Sequence, residues 1–142
     1  VNEVVDWKKK KDGGYAYLDN MGLSIKALRA EMYINRSNLE EAYTIMDEIK
    51  NTKLDLREYN RTYYFIILYS LLGDNNEAYR YLYKYKDELG IHDTISNNLE
   101  LIYSPIGSKL RNDSRYIDLL KECKLYDYWK DDPEIKKLEK GK

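Results

Sequence analysis

Two stretches of this chain carry the same order of side chains, and that duplication limits the possible folds more than any other feature. Ile34-Asn35-Arg36-Ser37-Asn38-Leu39-Glu40-Glu41-Ala42-Tyr43 is followed downstream by Leu71-Leu72-Gly73-Asp74-Asn75-Asn76-Glu77-Ala78-Tyr79-Arg80-Tyr81-Leu82. Tyr33 and Tyr69, Ala42 and Ala78, and Met46 and Leu82 are each 36 positions apart, as 78 is from 42. A fixed period of roughly 20–50 residues marks architectures in which one supersecondary unit stacks on the next. Such stacks present extended surfaces that bind partners.

The repeated unit reads as the corner of a helical hairpin. Tyr59 to Leu72 contains no Gly or Pro and places Phe65, Ile66, Tyr69 and Leu72 at helical spacing. Gly73 ends that helix. Asp74 and Asn75 offer side chains that cap free N–H groups, and Glu77 follows Asp74 by three, a loose capping box. The second helix is expected to run to about Leu89, with Gly90 in the left-handed stop position. Tyr79, Tyr81, Tyr83 and Tyr85 alternate as in a half-buried strand. At 100° per residue, however, Ala78, Tyr81, Leu82, Tyr85 and Leu89 share one arc, away from Arg80, Lys84 and Asp87. Ala78 and Ala42 therefore mark where the two helices of each hairpin come closest, and a larger residue there should overpack at about 1–3 kcal/mol.

On these residues the chain resembles the tetratricopeptide repeat family, with Ala30, Tyr33, Ala42 and Met46 in the first copy and Phe65, Ile66, Tyr69, Gly73, Asp74, Ala78, Leu82 and Tyr85 in the second. It departs from that pattern where Lys26 and Thr62 occupy the usual Trp site and where Leu54 and Gly90 stand in place of Pro. The resemblance implies an all-α, right-handed stack of antiparallel helical hairpins, with about six main helices and short terminal ones. One domain over residues 1–142 is expected, divided into repeat one (about 15–51), repeat two (about 57–90), a degenerate capping pair (about 93–125) and a tail (126–142).

In chain order, Val4, Val5 and Trp7 precede the lysine run 8–11, read as a short helix or the tail of a preceding repeat, and Asp12-Gly13-Gly14 as a turn. Tyr15, Leu18, Met21, Ile25, Leu28 and Met32 read as a helix through Tyr33, with Gly22 a weak point. A second helix spans about Asn38 to Ile49, and Asn51-Thr52-Lys53 is a loop. Asp93 or Thr94 is expected to cap a fifth helix with Ile95, Leu99, Ile102 and Tyr103 on one side, broken by Pro105 and Gly107. Asp113 caps a sixth, in which Tyr116, Leu119, Leu120 and Cys123 follow the i, i+3, i+4, i+7 pattern. The run from Leu110 to Leu120, closed by Leu125, resembles the C-terminal ending of repeat regions in bacterial regulators, with Ser114 in place of the usual Pro. Leu125-Tyr126-Asp127-Tyr128-Trp129 is expected to fold back over the last pair, and Pro133 to open a final short helix.

Composition narrows the function classes. With 142 residues, 43% hydrophobic and 35% charged, the chain suffices for one core. A net charge of −1 lacks the positive field that nonspecific nucleic-acid binding requires. No apolar run reaches the length of a membrane span. The single cysteine, Cys123, excludes an intrachain disulfide, so a cytoplasmic location is the expectation. The richness in Lys, Asn, Ile and Tyr suits a low-GC bacterium, and the absent initiator Met suggests a fragment. One histidine, His92, lies too far from Cys123 for metal-ligand spacing, and Asp74-Asn75-Asn76-Glu77 lacks the calcium-loop pattern. No catalytic, cofactor or metal residues are assigned, and the chain is read as no enzyme.

The expected function is a protein or peptide interaction module, the C-terminal sensory or scaffolding part of a larger bacterial regulatory or signalling protein. A structural or homo-oligomerisation domain, forming a homodimer, is the alternative. In tetratricopeptide-like stacks the binding surface lies on the first helix of each pair, which implies Ser24, Ala27, Glu31, Asn60, Tyr63 and Ile67, with Leu99 and Tyr103 from the third pair. Glu31 would repel a C-terminal carboxylate. The expected ligand is an uncharged or mildly basic segment held largely by Tyr63, Ile67 and Tyr103, because aromatic anchors carry most interface energy.

Overall fold

The duplicated corner is duplicated in its hydrogen bonds. The computed structural model describes residues 16–52 and 59–141, and within them α1 (Ala16–Asn35) turns into α2 (Leu39–Asn51) as α3 (Tyr59–Leu72) turns into α4 (Asn75–Thr94). In the first turn the Ser37 N–H donates to the Ile34 carbonyl at 2.9 Å and the Asn38 N–H to the Tyr33 carbonyl at 2.9 Å. In the second, the Gly73 N–H donates to the Ser70 carbonyl at 3.1 Å and the Asp74 N–H to the Tyr69 carbonyl at 3.0 Å. Each is a Schellman ending, in which a residue with positive φ lets two N–H groups fold back on the last turn. Gly73 (φ 74) fills that place at no steric cost, whereas Ser37 (φ 57) carries a Cβ into it. The next helix then starts alike, with the Asn38 side chain accepting from the Glu41 N–H at 3.5 Å and Asp74 from the Glu77 N–H at 3.2 Å.

Burial follows the expected arcs on α2 and α4, whereas on α1 the apolar stripe Met21, Ile25, Leu28 and Met32 read from the sequence is exposed. Ala42, Ala78, Leu82 and Ala30 have no exposed surface, and Ile45, Met46 and Ile49 line the inner face of α2. Glu40, Glu41, Lys50, Arg80, Lys84 and Asp87 face solvent. α1 packs on α2 and α3 on α4, and α1 also lies along α3. The α3–α4 contact is filled by a ring stack: Phe65 meets Tyr81 at 5.0 Å between centroids and Tyr69 meets Tyr81 at 5.7 Å, with planes 24° and 11° apart. Burial there, ahead of neighbouring ring and carboxylate charges, pushes the Tyr69 phenol up to about 12. Tyr79 is buried on the other side of α4, its O–H donating to the Leu110 carbonyl at 2.7 Å. The stripe read for α4 omits it because the C-terminal helices cover a second side of that helix.

Beyond α4 the third pair differs from expectation. Gly90 (φ 88, ψ 174) interrupts α4, and the helix resumes at once, so Thr94 lies inside it with its hydroxyl donating to the Gly90 carbonyl at 2.8 Å. Neither Asp93 nor Thr94 begins a helix. The run continues through a wide π-helical turn, Ile95–Leu99, into α5 (Glu100–Tyr103). Five residues per closure shift the side chains off a 3.6-residue stripe, so Leu101 and Ile102 turn inward while Tyr103 is exposed. A 3₁₀ turn, Pro105–Gly107, then leads to α6 (Ser108–Arg111). α7 (Arg115–Glu122) is opened by the Asp113 carboxylate, which accepts from the Arg115 N–H at 3.0 Å. Pairing with the Arg115 guanidinium holds the Asp113 carboxyl down at about 2. Tyr116, Leu119, Leu120 and Cys123 are buried as expected. α8 (Tyr126–Trp129) and α9 (Pro133–Lys140) complete the chain, with Trp129 and Tyr126 against the core and Tyr128 in solvent. Every element among the described residues is helical. Residues 1–15 and 53–58, which include the expected N-terminal segment, its turn and Lys53, lie outside them.

Three substitutions test this packing by denaturant unfolding. Ser37→Gly relieves a left-handed β-carbon, less the entropy glycine loses on folding, and is expected to stabilise by about 0.5–1 kcal/mol. Asn98 is fully buried and neither its amide oxygen nor its nitrogen has a hydrogen-bond partner. Asn98→Leu removes both unpaired atoms and is expected to stabilise by about 1–3 kcal/mol; a loss of stability would show that the amide is satisfied in solution. A β-carbon on the buried Gly107 would lie 2.5 Å from the Ile102 Cα. Gly107→Ala should therefore destabilise by at least about 1–3 kcal/mol.

Candidate functional site

The longest exposed apolar stripe among the described residues runs along α1. Met21, Ile25, Leu28 and Met32, spaced four, three and four apart, all stand in solvent, and Leu28 is 65% exposed. The inward face of the helix is formed instead by Leu23, Ala27 and Ala30. Two small alanines on that face let α1 lie close to its neighbours, and the large apolar side chains of the same helix are left outside.

Beside this stripe α1 and α3 enclose a groove of about 230 Å³ lined by Ser24, Ala27, Leu28, Glu31, Tyr64, Ile67 and Leu68. The spacing explains the convergence: residues 24, 27, 28 and 31 form one face of α1, and 64, 67 and 68 one face of α3. Buried Ala27 and Leu68 form the floor. The Ser24 hydroxyl and the Tyr64 phenol are joined by a hydrogen bond across it, which fixes the Tyr64 ring against α1. Glu31 is the one charged side chain in the lining.

Of the residues expected at a binding surface, Ser24, Ala27, Glu31 and Ile67 are brought together here. Tyr63 is not. Its ring lies half-buried against the core, 6.0 Å from that of Tyr64 and tilted by 59°. The 36-residue register holds here, since Leu28 with Tyr64 and Glu31 with Ile67 are each that far apart, and the groove takes Tyr64, the counterpart of Leu28, rather than Tyr63, the counterpart of Ala27. Tyr64 was legible, since it precedes Ile67 by three. Leu28 and Leu68 were also missed. The side chains of Asn60 and Leu99 lie outside the described residues.

Tyr103 belongs to a separate pocket of about 250 Å³ lined by Tyr103, Tyr116, Trp129, Asp132, Glu134 and Ile135. Its hydroxyl shares a 2.6 Å hydrogen bond with that of Tyr116, and burial foremost drives both phenols above their ordinary range. The Cys123 thiol, also buried, is pushed up by desolvation and is a poor nucleophile. No group of three His, Cys, Asp or Glu side chains among the described residues is placed to hold a metal ion. No helix among them is long and apolar enough to cross a membrane. The groove has room for a single apolar side chain, with the Glu31 carboxylate beside it.

Comparison with protein families, with curated proteins and with solved structures finds no match to this chain.

Proposed function

We propose that this domain is a protein- or peptide-interaction module built on a tetratricopeptide-like right-handed stack, serving as the sensory or scaffolding end of a bacterial regulatory protein. The α1–α3 groove carries the reading, because it joins an aromatic wall, an apolar floor and one carboxylate beside the uncovered side chains of Met21, Ile25, Leu28 and Met32. Apolar area of this kind stabilises association by roughly 25 cal/mol per Å² before the costs of ordering the partner. The ligand expected from the lining is an apolar segment with a basic residue placed near Glu31. The homodimer is the second reading, favoured by the same stripe, since a second copy of α1 would cover it in a self-complementary contact.

Selection of display-library peptides against the full chain separates the two. Peptides that combine apolar and basic residues should be enriched. Leu28→Asp should weaken the enriched peptides by at least about tenfold, equal to 1.4 kcal/mol, while the melting midpoint stays within a few degrees because Leu28 is largely exposed. Recovery of the same peptides by the variant would sink the groove as the site. A concentration-dependent dimer in light scattering, lost in Leu28→Asp, would decide for the homodimer instead.

A further inference from the structure

The second pocket has a chemistry unlike the groove. Trp129 from α8, Tyr103 at the end of α5 and Tyr116 from α7 are brought to one place by the 3₁₀ turn and the short helices after it. The Tyr103 ring stands 79° from that of Trp129, with centroids 4.9 Å apart, and 77° from that of Tyr116, with centroids 6.4 Å apart. The three rings meet edge to face and together line a small pocket. Asp132 and Glu134 close the rim, and Ile135 supplies an apolar wall.

The charge at this rim is asymmetric. Arg111 is near, but its guanidinium donates to the Ile102 and Ser104 carbonyls, which holds the turn, and it approaches Glu134 only at 3.6 Å. Two carboxylates against one guanidinium leave one negative charge beside three rings. Asp132 is exposed, and its side chain accepts a hydrogen bond from the Glu134 N–H at 2.8 Å, which fixes the carboxylate at the start of α9. The volume of about 250 Å³ falls below the roughly 300–1,000 Å³ of sites for drug-sized ligands, so the pocket fits a head group or a single side chain. A cation near aromatic faces is attracted by the ring quadrupole, most strongly by Trp, and methylated ammonium groups are best suited because they carry charge on an apolar surface.

We infer that the Tyr103–Tyr116–Trp129 pocket with Asp132 and Glu134 is a binding site for a methylated ammonium group, as carried by choline or by a methylated lysine side chain. The site is independent of the α1–α3 groove and shares no residue with it.

Trp7 and Trp129 are the two tryptophans of the chain, so Trp7→Phe leaves Trp129 as a single fluorescent reporter. In that background, tetramethylammonium chloride is titrated against matched sodium chloride, with 3,3-dimethyl-1-butanol as the uncharged isostere of choline. The expected result is a saturable change in Trp129 emission with the ammonium ion, at least about tenfold tighter than with the neutral alcohol, which corresponds to a cation–π and charge contribution within the known range. Asp132→Asn, which keeps a capping side chain, should weaken the ammonium at least threefold and leave the alcohol unchanged. Choline and an Nε-trimethyl-lysine peptide then distinguish a free head group from a side chain, and tighter binding of either supports the site. Equal affinity for ammonium and alcohol, or no saturable signal with tetramethylammonium at tens of millimolar, would overturn the proposal. An unchanged circular dichroism melt for each variant assigns any loss to the pocket.

Discussion

Close approach of paired helices at alanine is the constraint on which the other contacts of this molecule rest. Ala30 on α1, Ala42 on α2 and Ala78 on α4 are fully enclosed, and helix axes can come within the usual 8–10 Å only where the contacting side chains permit it. Met46 and Leu82 are buried beside Ala42 and Ala78 in the same two helices, and the Phe65–Tyr81–Tyr69 stack fills the α3–α4 contact. The Schellman corners set the path by which each second helix returns, and the Asn38 and Asp74 side chains satisfy its first free N–H groups. Small residues at the contact and fixed turns at the ends are complementary: either alone would leave the second helix free to swing.

The parts of this fold that were legible in the sequence are those where one local rule suffices. Gly73 and Asp74 announce a helix end and a helix start, and their counterparts Ser37 and Asn38 do so by position even though serine is a poor left-handed residue. The third pair was not legible to the same degree, because a π-helical turn has no side-chain signature and displaces every later residue from the 3.6-residue stripe. Tyr79 shows a different limit. Periodicity assigns a helix one buried face, and a second buried face appears only when later elements are known to cover it, as α6 does here with Arg115 of α7 over the Tyr79 ring. The groove was legible only in part: Ser24, Ala27, Glu31 and Ile67 line it, whereas Leu28, Tyr64 and Leu68 do so without having been expected and Tyr63 does not.

Tyrosine does much of the work that phenylalanine does in other cores, at 16 residues against one. Each buried phenol brings a hydroxyl that must find a partner, and these partners tie separate segments together: Tyr79 to the Leu110 carbonyl, Tyr64 to Ser24, Tyr116 to Tyr103. The result is a core whose apolar surfaces specify proximity and whose hydroxyls specify register. The same residues shape both cavities, giving one an aromatic wall beside aliphatic side chains and the other a ring-lined recess beside carboxylates.

Gly90 has a consequence for how the molecule comes apart. A helix transmits order because each residue added extends an existing ladder, and a residue at φ 88, ψ 174 is outside any such ladder. Helical order is therefore not handed on through Gly90, and what joins the two sides is side-chain packing: one continuous core, with the Tyr79 hydroxyl on the Leu110 carbonyl. Amide protection on the two sides of that glycine is expected to rise and fall together, because a shared core and not a shared ladder couples them.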